Sequence, residues 1–107
     1  MHSYVLLFAV FLSVAFCMMG GYHPRDVNDP DVLEAASFAV SILNSHSNSM
    51  HPHSLKKVVE ASSQVVAGVN FKIVLETSRG NSVERHEVVV YKGLGTNGMT
   101  LSSHKSL

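Results

Sequence analysis

Three imidazoles, His46, His51 and His53, fall within eight residues, and imidazole nitrogen is a ligand for zinc or copper. Their setting is a stretch of Ser, Asn and Pro without an acidic partner. It reads as a polar surface loop, and no metal site is expected there. Asp26, Asp29 and Asp31 also cluster, but the order Asp29-Pro30-Asp31 is a helix start. Asp29 caps, Pro30 takes the first helical position and Asp31 complements the positive end of the helix dipole. The single thiol, Cys17, follows an uncharged apolar run from Tyr4 to Phe16. No nucleophile, base and orienting group can be assembled, so no enzyme and no cofactor are expected. Lys plus Arg and Asp plus Glu number eight each, which gives no basic patch for nucleic acid or an anionic membrane.

What is left is recognition by shape. Gln64-Val65-Val66-Ala67-Gly68 runs straight into the alternating stretch Val69-Asn70-Phe71-Lys72-Ile73-Val74-Leu75-Glu76. A glycine between two β-capable runs predicts a tight reversal between paired strands. Val65, Val66 and Ala67 then stand at an exposed tip, where folding alone gives no reason to put apolar side chains. An apolar tip held by two strands is a wedge suited to a narrow cleft.

The elements that must carry this wedge can be read around it. Residues 1–17 fit a secretory leader, with small residues at Ala15 and Cys17 and an apolar run shorter than the ~20 residues of a membrane span. The mature domain is then 18–107, secreted, extracellular and free of disulfides. Residues 18–28 form an irregular arm. A helix follows over Val32–Leu43, its apolar stripe made of Val32, Leu33, Ala35, Ala36, Ala39, Val40 and Leu43. After the loop 44–54 come strands at Leu55–Ser63, Val69–Thr77 and Val83–Tyr91, with a turn at Arg79–Ser82 and a short strand at Met99–Ser103. One helix followed by an antiparallel meander is an α+β pattern.

Three motifs in order carry a family resemblance. Gln64–Gly68 resembles the Gln-x-Val-x-Gly loop of the cystatins, protein inhibitors of papain-like cysteine proteases. Leu33-Glu34-Ala35-Ala36-Ser37-Phe38-Ala39-Val40 is similar to their helix signature. Met18-Met19-Gly20-Gly21 is similar to their arm, and the separations of Gly20, Phe38 and Gln64 also match. The resemblance implies a bent antiparallel sheet of four to five strands wrapped around one helix. It implies reversible, steric inhibition, with arm and hairpins entering the cleft of cathepsin L-, B- or S-like enzymes and no covalent bond formed. The protease-binding residues it implies are Gly20, Gln64, Val65, Val66, Ala67 and Gly68, together with Gly93 and Leu94 of a second hairpin.

Two features depart from the family pattern. Gly93-Leu94 stands where Pro-Trp is usual, so the indole's area and its N–H donor are lost. The two disulfides common in secreted animal members are absent. A non-inhibitory binding or defence protein on the same fold is the rival reading. Ser47-Asn48-Ser49 resembles the Ser-Asn-Asp site with which some members inhibit legumain-type proteases, but Ser49 replaces the acid, and an ordinary loop asparagine is the expectation for Asn48. The chain is expected to be a monomer. Val66, as a β-branched residue in a tight turn, suggests strain that a domain-swapped dimer would relieve.

Overall fold

The computed structural model describes residues 21–47, 50–95 and 98–107; the arm residues 18–20, including Gly20, and Asn48 lie outside them. The elements are β1 (His23–Pro24), α1 (Pro30–Ser45), β2 (Ser54–Val66), β3 (Gly68–Arg79), β4 (Ser82–Gly93) and β5 (Met99–Ser106). The strands form one antiparallel sheet in the order β1-β2-β3-β4-β5, and α1 packs on β2, β3, β4 and β5.

The helix begins as its sequence dictates. The Asp29 carboxylate accepts from the Asp31 amide at 2.8 Å and Pro30 occupies the first turn. Val32, Ala35, Ala36, Ala39 and Val40 are buried, the i, i+3, i+4, i+7, i+8 set of a single stripe. Leu33, assigned to that stripe by its apolarity, sits on the flank and is 39% exposed. Three of the five buried residues are alanines, which lets the helix lie close against Val58, Ala61, Phe71, Ile73, Leu75, Val88 and Val90. Large-to-small changes there cost about 2–5 kcal/mol each, so Ile73→Ala should remove a large share of the stability, read as a lower urea midpoint.

The strands are longer than their alternation suggests. β2 continues to Val66, with Gln64 opposite Asn70, Val65 opposite Val69 and Val66 opposite Gly68, so only Ala67 lies between β2 and β3. β5 continues to Ser106 because backbone pairing with β4 persists where its side chains become polar; residues 102–107 are exposed, and Lys105 marks an edge strand kept unattractive to other edges.

Two ion pairs hold the periphery. Arg25 grips Asp29 through Nη2 at 2.6 Å and Nε at 3.2 Å, donates from Nη1 to Ser63 Oγ at 3.0 Å and lies over the Phe71 ring. Arg85 meets Glu76 at 2.6 Å. The arginine hydrogen bond is the main cause holding each carboxyl below its ordinary pKa. The folded pKa values are thus depressed below the unfolded ones. The stabilisation is complete above the unfolded carboxylate values, about 4, and is lost as pH falls through the folded ones. Urea midpoints measured from about pH 6 down to pH 3 should fall most steeply below about pH 4. Arg25→Gln combined with Arg85→Gln should flatten that fall.

Candidate functional site

Two hairpin ends meet at one end of the sheet. Gly68, the first residue of β3, pairs directly with Gly93, the last of β4, so the β2–β3 tip and the β4–β5 tip are neighbours. The concave face explains why the first tip is bare. Ala61 and Ser63 are buried on that face, and Val65, next on it by the strand's period of two, lies beyond the helix and is 82% exposed. Val66 points to the other face and is 46% exposed. At the second tip Leu94 is 80% exposed. A hollow of about 340 Å³ between the tips is lined by Val65, Val66, Gly68, Gly93 and Leu94 among others.

The first tip is held from behind. Gly68 has φ +116°, and a Cβ on it would stand 2.5 Å from the Lys92 carbonyl oxygen and 2.9 Å from the Tyr91 hydroxyl. The glycine is therefore demanded by the hairpin's own packing against β4. The Tyr91 hydroxyl donates to the Ala67 carbonyl. Tyr91 was not singled out from the sequence, although its position two residues before Gly93 places it beside the loop. Lys92 reaches Glu34 of the helix at 3.1 Å. No non-glycine residue has positive φ among the described residues, and Val66 is a ladder-paired strand residue. The turn strain expected at Val66 is thus not present; the unusual backbone falls on Gly68.

The structure brings Val65, Val66, Ala67, Gly68, Gly93 and Leu94 together, with Gln64 next along β2. Gly20 and Asn48 fall outside the described residues. β1 is antiparallel to β2, His23 opposite Ser63 and Pro24 opposite Ser62, so the chain enters the sheet from the side of Gln64 and the first tip.

The histidines regroup. His53 joins His86 at the far end of the sheet through Thr77, and His86 in turn meets His104. His86 is 3% exposed, and burial, followed by the neighbouring His104 and His53, lowers its pKa despite the opposing Glu84. No helix among the described residues is long and apolar enough to cross a membrane.

Comparison with known proteins agrees with this architecture. Residues 20–100 match the family model for the cystatin domain. The chain is 51% identical over 57 residues to a cystatin of Bitis arietans, which covers 53% of this chain and 51% of that protein. It is 39% identical over 80 residues to L-cystatin of Tachypleus tridentatus, which covers 72% of this chain and 60% of that protein. Among solved structures it resembles Al-CPI, at 25% identity and TM-score 0.65 over 81% of this chain and 99% of that one. It also resembles dimeric human cystatin F in fold, at 17% identity and TM-score 0.71 over 80% and 85% of the two chains. A helix laid in an antiparallel sheet with two apolar tips at one end is the architecture of a cystatin, and the chain belongs to the cystatin family. It spans between 51% and 60% of the length of these two curated relatives.

Proposed function

We propose that the chain is a reversible, steric inhibitor of papain-like cysteine proteases of the cathepsin type. The observation that carries this reading is the direct pairing of Gly68 with Gly93, which sets two exposed apolar tips side by side at the end of a stiff sheet. Val65, Val66 and Leu94 supply apolar area, and the glycines keep the backbone narrow where an enzyme wall would close on it. Gln64, Ala67 and Gly20 complete the contact in this reading, with Gly20 letting the arm bend so that Met18 and Met19 enter substrate pockets. Inhibition is occupation of the cleft; no bond to the protease forms. The leader over 1–17 and secretion of the domain 18–107 belong to the same proposal.

Titration of papain and of a cathepsin L-like enzyme tests it. The expected result is reversible inhibition with the inhibitor recovered uncleaved. If the folded protein at about 50 µM leaves both enzymes fully active, the contact is too weak for a specific complex and the rival reading of a non-inhibitory binding protein takes its place. Within the wedge, deleting residues 18–20 should raise the inhibition constant more than Leu94→Ala, because interface energy concentrates in large anchors and leucine is a poor substitute for one. Leu94→Trp should tighten binding. A Leu94→Ala effect larger than that of the arm deletion would overturn this ranking.

A further inference from the structure

The buried stripe of the concave face changes character at the end of the sheet away from the wedge. On β3, Phe71, Ile73 and Leu75 give way to Thr77, and on β4, Val90 and Val88 give way to His86. Both polar residues are almost fully buried where another valine or leucine would continue the core. Thr77 Oγ1 bridges two imidazoles, lying 3.0 Å from His53 Nδ1 and 3.3 Å from His86 Nε2. The other ring nitrogen of His86, Nδ1, is 2.9 Å from His104 Nε2. The His86 Nε2 also faces a carboxylate, 3.9 Å from Glu84 Oε1. One ring nitrogen of His53, one of His86 and a Glu84 oxygen all lie within 4.8 Å of one another.

The geometry points to a divalent transition-metal site at this end of the sheet, with His53, His86 and Glu84 as ligands and Zn²⁺ as the ion it suits. Two imidazoles and one carboxylate are a ligand set that zinc accepts with its fourth position left to water. Zinc held at about 2.0–2.2 Å from each ligand separates tetrahedral donors by roughly 3.4 Å. The His86–Glu84 separation of 3.9 Å has about 0.5 Å to close and the others, at up to 4.8 Å, as much as about 1.4 Å; Glu84, a flexible half-buried side chain, supplies the movement on its side and a shift of the His53 ring supplies the rest.

The support around these ligands is of the kind a metal site needs. When the His86 Nδ1–H donates to His104, the Nε2 lone pair faces His53 and Glu84; a ligating histidine characteristically has its second nitrogen held in this way. His53 is fixed by Asn44 at the end of α1, whose side chain accepts from the His53 amide at 2.7 Å and donates to its carbonyl at 2.8 Å. Half-buried His53 and Glu84 leave a route of entry to the buried His86. Arg79 opposes binding. Its Nη1 lies 3.9 Å from the second oxygen of Glu84, so it competes with a cation for that carboxylate. A bound ion would tie the segment between helix and β2 to β4, about 30 Å along β3 from Gly68, and so leave the wedge untouched.

Titration of the protein with Zn²⁺ alone, followed calorimetrically, and with Co²⁺ as an absorbing probe tests the assignment. One equivalent of Zn²⁺ is expected, with a rise in melting temperature that grows with metal concentration, and intense visible bands from tetrahedral Co²⁺. His53→Gln and Glu84→Gln, both at half-buried positions, should each weaken binding about 10-fold or more. His51→Gln should leave it unchanged, and Arg79→Gln should strengthen it several-fold. The Arg79 arm separates a ligand role for Glu84 from a structural one, because loss of the Arg79–Glu84 pair alone has no reason to improve metal affinity. Absence of one-to-one binding, or His53→Gln and Glu84→Gln proteins that fold and bind like the wild type, would overturn the assignment. So would a loss in His51→Gln equal to that in His53→Gln, which would place the metal in the surface loop.

Discussion

Gly68→Val is expected to remove protease inhibition and to lower stability by about 3 kcal/mol or more, because the residue is needed by the fold before it is needed by a partner. Its φ of +116° lies in a region that L side chains rarely adopt, and its Cβ would lie 2.5 Å from the Lys92 carbonyl oxygen. That oxygen belongs to backbone paired with β3, so it cannot move without opening the β3–β4 ladder at the wedge. Val65→Asp is the informative partner. Val65 is 82% exposed, so a carboxylate there is solvated in the free protein and stability should change by less than about 0.5 kcal/mol. In the proposed protease complex the same carboxylate would be buried without a partner, and inhibition should weaken by ~30-fold or more, about 2 kcal/mol. Urea midpoints and inhibition constants measured on the same preparations separate the two. A Gly68→Val protein as stable as the wild type would show that the glycine serves only the partner. A Val65→Asp protein that inhibits normally would remove the first tip from the contact.

The same distinction shows where sequence reasoning reaches and where it stops. Asp29-Pro30-Asp31 defines the start of the helix, because capping is a local interaction between residues two apart. The alternation of Phe71, Ile73 and Leu75 gives the buried face of β3, because a strand's period of two is local as well. The exposure of Val65 and Val66 follows from the glycine after Ala67. Long-range facts are different in kind. The contact of Gly68 with Lys92 and Tyr91 depends on the register of β3 against β4, which no residue near Gly68 announces. His53 was grouped with His46 and His51 because they are close in the chain. Its real neighbours, Thr77 and His86, with His104 behind His86, are brought together by the ladders and by the Asn44 clamp. Apolar character alone put Leu33 in the core; at 100° per residue it falls on the flank of a stripe that Val32 and Ala36 already fill. The extra length of β5 was hidden because polar edge residues carry no hydrophobic period.

Opening of the β2–β3 hairpin is expected to give a domain-swapped dimer that no longer inhibits. Strain at Val66 is not the driving force, since Val66 is paired with Gly68 and no described non-glycine residue has positive φ. The hairpin is instead a one-residue turn preceded by two exposed valines, Val65 and Val66. If Val66, Ala67 and Gly68 straighten, β2 and β3 become one long strand. Gly68 leaves its left-handed conformation, and β1, α1 and β2 of one molecule pack on β3–β5 of a second. The core contacts are regained in the dimer. The exposed parts of Val65 and Val66 gain the chance of burial between two chains, each side chain worth at most about 1.5 kcal/mol. The wedge is consumed in the process, so on the proposed function inhibition should disappear with the monomer. The Tyr91 hydroxyl bonded to the Ala67 carbonyl resists this opening, and the chain has no cysteine after Cys17 to supply a disulfide brake. A net hydrogen bond of about 1 kcal/mol corresponds to roughly fivefold in rate, so Tyr91→Phe should form dimer about fivefold faster after mild heating. Size-exclusion chromatography with inhibition assays on each peak is the measurement. A dimer that inhibits as well as the monomer, or a Tyr91→Phe protein that remains monomeric through partial unfolding and refolding at high concentration, would show that the hairpin does not open in this way.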